Sequence, residues 1–318
     1  ADEVIAAICS DDALAYDLQD NVDNSGNAVA STFSWIPADN ADVTGESLVA
    51  VNSAAITDVL VNLSGVPQTV QYTVTPTGVN GCAGSTFTVD VPVNSKPEGT
   101  SGTDAAVCSD DLLNIDPQDY VSVMTDVEFT WSRSLPTGLT LVTPGSGADI
   151  IDDVLRNLTS TQLTAVYTVT PVAAVADGGC PGETFPISVP VNPEPVGADA
   201  TTAGVCSDSP FSFDAQGYIT NGVASTFDWS VTYDGNTTVG SGALAGTFNN
   251  ITGGTLNAVF TVTPRSGSLC VGSDFVITVP ILSEPVGADE VIAAICSDDA
   301  LAYDLQDNVD NSGNSLPS

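Results

Sequence analysis

Hydrophobic and polar residues alternate along two neighbouring stretches in the first hundred residues. The alternating apolar positions are Val70, Tyr72 and Val74 in the first stretch and Phe87, Val89, Val91 and Val93 in the second. A period of two is typical of strands with one buried face, and Val, Thr, Phe and Tyr suit pleated sheets. The pattern predicts two half-buried strands joined by a Gly/Asn loop that carries Cys82.

The same pattern returns twice farther along the chain. Tyr/Phe-Thr-Val-Thr-Pro ends at Pro76, Pro171 and Pro264, and an earlier Phe-x-Trp ends at Trp35, Trp131 and Trp229. A Cys-Ser-Asp motif opens each unit, and a further one begins at Cys296. We therefore predict three modules, 1–98, 99–197 and 198–287, and the start of a fourth, 288–318. Each full module has the size of an immunoglobulin-like sandwich.

A second level of repetition spans all three modules. Residues 1–27 recur without change at 288–314, whereas neighbouring modules share a pattern but few identities. Perfect identity indicates that a three-module block was copied, so we expect the natural protein to be a long array. We also expect the fourth module to continue beyond the sequence given.

Two details of the strand pattern affect the expected sheet. Pro92, Pro190 and Pro280 lie within the last strand of each module, which favours an edge or bulged position for that strand. One apolar segment per module has a spacing that fits either a short helical turn or an irregular strand; its residues are Ile56, Leu60 and Leu63, then Ile151, Leu155 and Leu158, then Leu244, Phe248 and Ile251.

The cysteines recur with the modules, two in each full module and Cys296 in the fourth. We predict one disulfide per module, with the pairs Cys9–Cys82, Cys108–Cys180 and Cys206–Cys270. Such bonds stabilise by about 4 kcal/mol on the chain-entropy model and imply an oxidising compartment. The alternatives are buried thiols or zinc ligands, and the lack of histidine and of Cys-x-x-Cys spacing disfavours zinc.

Forty acidic residues against four basic ones give the chain a net charge of −36. Nucleic-acid binding needs Lys and Arg to neutralise phosphates, so the composition excludes that class of partner. No apolar run is long enough to span a bilayer. The simplest interpretation of the charge is solubility and mutual repulsion along an extended array.

A sharper hypothesis for the acidic residues is calcium binding, because Ca²⁺ prefers clustered carboxylates. The candidate ligands are Asp11 and Asp12 after the first cysteine, Asp20 and Asp23 in the following loop, and Glu194 and Asp199 in a linker. We expect no obligatory cofactor, and calcium at the linkers would stiffen the junctions. The alternative is that these carboxylates form an ordinary solvated surface.

Two further polar motifs recur at aligned positions. Asn62, Asn157 and Asn250 each begin Asn-x-Ser/Thr, which indicates either a glycan acceptor on one face of the array or a turn held by the asparagine. Asp17, Asp116 and Asp214 occur once per module. Recurrence in every module favours a cap or turn over three identical active sites.

The string YTVTPTGVNGCAGSTFTVDVPVNSKPEG, with the preceding CSDDALAYDL and TFSW, resembles the PKD-like, immunoglobulin-type modules of large cell-surface proteins in the Bacteroidota. The resemblance covers all three modules, although module 3 ends on Ile-Leu-Ser-Glu-Pro. It implies an all-β fold of tandem β-sandwich modules in an elongated array. It also implies an extracellular or cell-surface location and brings no catalytic site.

Catalysis is not expected, because the absence of histidine excludes Ser-His and Cys-His nucleophile pairs. We expect a structural segment of a giant extracellular protein that forms a surface fibre, filament or stalk. The alternative is an adhesin whose modules bind glycans or other surface ligands. The expected partners are copies of the chain itself, through an edge strand or an exchanged first strand.

Overall fold

The computed structural model describes residues 1–122, 126–313 and 316, and its fold is mostly β. Module 1 contains ten strands and one helix: β1 (Glu3–Val4), β2 (Ile8–Cys9), β3 (Tyr16–Asp17), α1 (Leu18–Asn24), β4 (Ser31–Pro37), β5 (Val43–Thr44), β6 (Val51–Asn52), β7 (Ala55–Ile56), β8 (Val61–Asn62), β9 (Gln68–Gly78) and β10 (Phe87–Asn94).

Module 2 repeats this order with fewer short strands. Its strands are β11 (Gly102–Thr103), β12 (Val107–Cys108), β13 (Val127–Ser134), β14 (Leu139–Thr143), β15 (Val154–Asn157), β16 (Leu163–Ala173) and β17 (Phe185–Asn192). Two 3₁₀ turns, Pro117–Tyr120 and Val175–Asp177, accompany them.

Module 3 is followed by the second copy of the opening segment. Its strands are β18 (Ala200–Thr201), β19 (Val205–Cys206), β20 (Phe211–Phe213), β21 (Ser225–Tyr233), β22 (Asn236–Ser241), β23 (Leu244–Gly246), β24 (Leu256–Ser266) and β25 (Phe275–Leu282), with a 3₁₀ turn at Ala215–Tyr218. Helix α2 (Leu305–Asn311) lies in the residues that repeat 1–27.

The main sheet of every module is built around its last strand. In module 1, β10 pairs antiparallel with β9, which pairs with β4. The opposite edge of β10 pairs in parallel with the two short first strands, β1 and β2. Modules 2 and 3 have the same arrangement around β17 and β25. The predicted pair of alternating strands is therefore confirmed.

The last strand is not an edge strand, so that part of the prediction is wrong. The first strand is interrupted instead: β1 pairs with Val89 and Asp90, and β2 pairs with Val93 and Asn94. Pro92 falls between these two pairings, where a missing N–H costs no ladder hydrogen bond. Pro190 and Pro280 occupy the same gap in their modules.

A second layer of short strands covers one face of each main sheet. The apolar segment with two possible interpretations belongs to this layer and is strand-like: Ile56 pairs with Tyr16, Ile151 with Ile115, and Leu244 with Phe213. The side chains between the layers form three separate hydrophobic clusters, one per module.

An aromatic pair lies at the centre of each cluster. Trp35 meets Tyr72 edge-to-face with 5.5 Å between ring centroids, and Trp131 meets Tyr167 at 5.4 Å. The Tyr72 hydroxyl donates to Asp58 Oδ2 at 2.9 Å, and burial together with this bond raises the pKa of Tyr72. Phe260 replaces the tyrosine in module 3, so this cluster lacks the buried tyrosine–carboxylate bond.

Candidate functional site: the junctions between modules

The two cysteines of one module lie at opposite ends of its last strand. Cys9 pairs with Asn94, the final residue of β10, whereas Cys82 stands in the loop that precedes Phe87, the first residue of β10. The eight residues of β10 span about 26 Å at the rise of an extended strand. Cys9 therefore faces the next module along the chain, and Cys82 faces away from it.

The disulfides accordingly join successive modules. Cys9 is bonded to Cys180 with 5.7 Å between Cα atoms, and Cys108 is bonded to Cys270 with 5.5 Å. The predicted pairs Cys9–Cys82, Cys108–Cys180 and Cys206–Cys270 are wrong, because a disulfide needs Cα atoms within about 7 Å. Among the described residues, Cys82, Cys206 and Cys296 carry exposed free thiols.

The bonded sulfurs lie in small apolar contacts between modules. Cys180 is fully buried and packs with Ala173, Val127 and Cys9 of the preceding module. Cys270 is 1% exposed. Each junction disulfide therefore joins a buried cysteine to a partly exposed one, Cys9 or Cys108, which restricts the access of thiols in solution to the bond.

The Cys-x-Gly motif explains how closely two modules approach. A Cβ atom on Gly182 would lie 2.1 Å from the carbonyl oxygen of Pro97, and one on Gly272 would lie 1.9 Å from that of Pro195. No real Cβ contact is this short, so only glycine lets the preceding linker pass against the cysteine loop. The motif recurs at Cys82, Cys180 and Cys270, and no contact within one module explains it, because the contact is between modules.

The linkers themselves end in a glycine, Gly99 or Gly197, and this glycine fits closely against the following module. A Cβ atom on Gly99 would lie 2.0 Å from the ring of Phe185, and one on Gly197 would lie 2.1 Å from the ring of Phe275. Gly99 also forms a β-bridge with Val121. The linkers are therefore folded against the following module by steric fit and by hydrogen bonds.

The two junctions differ in charge. In the first, Lys96 Nζ lies 2.9 Å from Asp12 Oδ1. In the second, Glu194 takes the place of the lysine and faces Asp110, which also accepts from Arg156 Nε at 2.9 Å. Burial first, and then the hydrogen bond with Asp110 and its charge, raise the pKa of Glu194 to about 7.

The acids proposed as calcium ligands lie at separate places. Asp23 accepts from Gln19 Nε2 at 2.7 Å and Asp199 from Val276 N at 2.7 Å, while Asp12 pairs with Lys96. Asp11 and Asp20 are exposed. Within 1–122, 126–313 and 316, no three Cys, Asp or Glu side chains form a group that could hold a metal ion. Calcium binding at these residues stays a prediction.

The aligned asparagines are buried turn residues. Asn62, Asn157 and Asn250 are 6%, 0% and 1% exposed. Asn62 Nδ2 donates to the carbonyl oxygens of Val66 and Val93, both at 2.8 Å, and the other two asparagines make the equivalent pair of bonds. Both amide hydrogens are used inside the module, so the prediction of glycan acceptors is wrong and the turn interpretation is confirmed.

The Cys-Ser-Asp motif holds this same turn. The sequence alone did not reveal this link between the two motifs. Ser10 Oγ accepts from Asn62 N at 3.0 Å, and Ser109 and Ser207 repeat the bond in their modules. The following aspartates, Asp11, Asp110 and Asp208, have φ of 66°, 64° and 55°. Aspartate tolerates this left-handed conformation better than most residues, so the motif fixes the chain beside each first cysteine.

The recurring aspartates Asp17, Asp116 and Asp214 are confirmed as caps. Each accepts from the backbone N–H two residues ahead at 2.9 Å, and each begins a helix or 3₁₀ turn. An N-cap of this kind satisfies a backbone donor that the helix itself leaves free.

Sandwich modules in tandem, with a shared linker and a disulfide at each junction, define the chain as an array of immunoglobulin-like repeats. It belongs to the PKD-like domain family, which it matches at residues 6–97, 105–195 and 203–285. A search of curated proteins finds no match.

Several solved structures are similar to the chain at low identity. An I-band fragment of titin is 9% identical with a TM-score of 0.34, covering 89% of this chain and 96% of the fragment. The PcdhgB3 EC1-4 fragment is 11% identical with a TM-score of 0.28, covering 90% and 75%. An endo-fucoidan hydrolase from glycoside hydrolase family 107 is 13% identical with a TM-score of 0.25, covering 89% and 43%. The chain thus spans less than half of that enzyme.

The disulfides and the family match both bear on where the protein is located. Disulfides are typical of oxidising, extracytoplasmic environments, and the family match agrees with an extracellular protein. None of the helices in the described part of the chain is long and apolar enough to cross a membrane.

Proposed function

We propose that the chain is a structural segment of a large extracellular protein that forms a surface fibre, filament or stalk. In this role the modules act as spacers held in fixed relative positions. The observation that carries the proposal is the pair of disulfides between modules, Cys9–Cys180 and Cys108–Cys270.

The two covalent loops overlap along the chain. The Cys9–Cys180 bond spans 171 residues and the Cys108–Cys270 bond spans 162. All of module 2 between Cys108 and Cys180 lies within both loops. Bonds that close loops of this length stabilise by about 5 kcal/mol on the chain-entropy model. A bond within one module would protect that module alone, whereas these bonds also fix its neighbours.

The contacts around the disulfides support a stiff junction. Pro97 and Pro195 pass directly against Gly182 and Gly272, and this close contact supports restricted motion of the linkers. The net charge of −36 adds repulsion that favours an extended array and solubility. PKD-like repeats are typically non-catalytic, and we assign no reaction to the chain.

The test measures whether the distance between modules 1 and 3 has one fixed value. Cys82 in module 1 and Cys206 in module 3 are exposed thiols that can be labelled without reducing the internal disulfides. In a Cys296→Ser chain, gold labels on these two residues give an X-ray scattering interference that reports the distance between labels. We expect one narrow distance distribution.

The control chain carries Cys9→Ser, Cys108→Ser, Cys180→Ser and Cys270→Ser as well as Cys296→Ser. Without bonds between modules we expect a broader distribution at unchanged β-sheet circular dichroism. A distribution that is equally broad in the bonded chain would show a flexible string and would contradict a spacer of fixed geometry.

A further inference from the structure

Strand β22 forms the free edge of the main sheet in module 3. The sheet runs in the order β18, β25, β24, β21 and β22, so β22 has a neighbouring strand on one side only. Five of its six residues are exposed, and Val239 is 81% exposed. The junctions between modules lie at the cysteine loops and linkers beside the last strand, whereas β24 and β21 separate β22 from β25. The surroundings of this edge are therefore set by module 3 itself.

The backbone groups that face the open edge follow from the hairpin that joins β21 to β22. A two-residue turn at 234–235, with φ of 46° and 74°, connects the strands. Such a turn places hydrogen-bonded pairs at every second position, starting from Tyr233 and Asn236. The bond from Gly242 N to Phe227 O at 2.8 Å continues that series. The N–H and C=O groups of the intervening residues of β22 therefore face outward; these residues are Thr237, Val239 and Ser241.

The edge of β22 lacks the features that usually keep sheet edges from pairing. Such edges are commonly very short, or blocked by charged side chains, proline or a bulge. β22 has the sequence Asn-Thr-Thr-Val-Gly-Ser, and its six residues pair with β21 in one continuous register. The corresponding edges of modules 1 and 2 are shorter, because β6 has two residues and Ala148 makes an isolated bridge to Thr130. β22 is thus well suited to strand addition.

Acidic residues are scarce around this edge, although they are frequent elsewhere. The chain has 40 Asp and Glu among 318 residues, yet none occurs between Asp234 and Asp274, a stretch that contains β22, β23 and β24. Asp228 on the adjacent strand β21 is paired with Arg265 at 3.1 Å. Because copies of a chain with a net charge of −36 repel each other, an uncharged strand is a place where two copies can approach.

Building on the proposed structural array, we propose that the edge of β22 is a docking surface for β22 of a second copy of this chain. The two strands pair antiparallel about a twofold axis at Val239. Val239 then lies opposite Val239 of the second copy, and Thr237 and Ser241 lie opposite each other on both sides of the axis. Each of these three opposed pairs exchanges two backbone hydrogen bonds. The main sheets of the two copies become one continuous sheet, which links two arrays side by side.

The symmetry of the edge and its charge both favour a second copy as the partner. A twofold axis makes the surface self-complementary, since the outward-facing residues are evenly spaced along the strand. In this register the two Asp234 residues are about ten residues apart, or about 34 Å along the strands. That distance exceeds the Debye length of about 8 Å in physiological salt, so the pairing holds these acids well apart.

The first experiment measures association of the full chain by analytical ultracentrifugation over a range of protein concentrations. The chain carries Cys82→Ser, Cys206→Ser and Cys296→Ser, so that no free thiol links the copies. Because the contact is one pair of strands between copies that repel each other, we expect a dimer that increases with protein concentration and with salt. A chain that stays monomeric at every concentration in high salt overturns the proposal.

Val239→Pro separates pairing at this edge from any other association. Proline removes an N–H that faces outward and leaves the bonds between β22 and β21 in place. We expect the dissociation constant of the dimer to rise at least roughly tenfold, equivalent to about 1.4 kcal/mol, at unchanged β-sheet circular dichroism. Val175→Pro is the matched control, because Val175 is 85% exposed and begins a 3₁₀ turn, where proline fits. Equal dimerisation of the two variants contradicts docking at β22.

Cysteine variants in the same background test the register and direction of the pairing. Val239→Cys places two thiols opposite each other, within the Cα distance that a disulfide needs. Thr237→Cys places its two thiols about four residues apart, or about 14 Å along the strands. With oxidised glutathione we expect a covalent dimer from Val239→Cys and little from Thr237→Cys alone, whereas Thr237→Cys mixed with Ser241→Cys gives a dimer of the two variants. Equal yields from Val239→Cys and Thr237→Cys alone would exclude the antiparallel register.

Failure of this inference is distinguishable from failure of the proposed function. Gold labels at Cys82 and Cys206 report the geometry within one chain. A narrow label distance in a chain that never dimerises leaves a spacer without side-by-side pairing. A broad label distance contradicts the spacer, whether or not β22 pairs with a second copy.

Discussion

Residues 1–27 and 288–314 have the same sequence and different surroundings, so the two copies separate local from tertiary structure. Both copies form the same helix, Leu18–Asn24 and Leu305–Asn311, with the same aspartate cap at 2.9 Å. Both tie the helix to the segment start, through Asn21 to Ala1 and through Asn308 to Ala288. These contacts are specified by the segment itself.

The strands occur in the first copy only. Within the described residues, β1, β2 and β3 have no counterpart at the equivalent positions of 288–313. A strand needs a neighbour for its backbone hydrogen bonds, and β10 and β7 supply that neighbour only to residues 1–27. The difference shows that the strands depend on their module, whereas the helix cap does not.

The largest expected effect concerns the equivalent cysteines of the two copies, Cys9 and Cys296. Cys9→Ser removes a bond that spans 171 residues, which we expect to cost about 4–5 kcal/mol of unfolding free energy. Cys296→Ser removes an exposed thiol and is expected to change this free energy by less than about 0.5 kcal/mol. Denaturant unfolding, followed by probes in modules 1 and 2, measures the free energy of unfolding of each variant. Similar effects from the two variants would contradict the assigned pairing.

The next largest effect concerns the equivalent leucines of the two copies, Leu18 and Leu305. Leu18 is 0% exposed and Leu305 is 75% exposed. Leu18→Ala should destabilise module 1 by about 2–5 kcal/mol through lost burial and a cavity, whereas Leu305→Ala should stay within about 0.5 kcal/mol. Thermal unfolding of the monomer at low concentration measures both. A large loss from Leu305→Ala would mean that 288–314 is buried in solution.

A smaller effect is expected at the helix caps. Asp17→Ala removes a cap that holds a packed helix, at an expected cost of about 1 kcal/mol. Asp304→Ala removes the same cap from an exposed helix, which adds little to the stability of the whole chain. Amide hydrogen exchange of the two helices gives the readout. We expect the substitution to speed exchange in α1, and we expect α2 to exchange quickly already in the unmodified chain. Equal protection of α1 and α2 in the unmodified chain would contradict this difference.

The last effect is a pH dependence of stability at the second junction, which the exposed copy, residues 288–314, does not share. Asp110 faces Glu194, whereas its counterpart Asp298 is exposed. Since the pKa of Glu194 is raised to about 7 in the folded chain, the protonated form is favoured on folding. Its stabilisation is full below the ordinary glutamate pKa and is lost as pH rises through about 7.

Denaturant titrations between pH 5 and 8 measure this dependence, with Asp111 and Arg156 unchanged beside the pair. Glu194→Gln is expected to flatten the fall in stability over that range, because it keeps a neutral side chain at every pH. A Glu194→Gln chain with the same pH slope as the unmodified chain would assign the dependence to other carboxylates.

The fold could be predicted from the sequence where the signal is local. The alternation at Val70, Tyr72 and Val74 identified a strand, and the recurrence of Asp17 indicated a cap, because both depend on nearby residues. The proline in the last strand was interpreted wrongly, since Pro92 fits an interior strand only when its other neighbour is interrupted at that point.

The contacts at the junctions could not be predicted from the sequence, because they join residues that are far apart along the chain. When each module is considered alone, Cys9 and Cys82 are the two cysteines of module 1, so pairing them is the natural prediction. The correct partner depends on which end of β10 each cysteine occupies, and that follows from the parallel pairing of β2. The asparagine motif shows the same limit: its burial depends on Ser10, 52 residues away, and on the last strand.

The overlapping disulfides set how far the chain can lengthen under tension. The shortest covalent route from Cys9 to Cys270 crosses to Cys180, returns along the backbone to Cys108 and crosses again. Its backbone part, Cys108 to Cys180, reaches about 250 Å when fully extended, against roughly 900 Å for the unbonded chain from Cys9 to Cys270. Even with every module unfolded, a pulled array of this kind would stop far short of its contour length and keep its ends tethered.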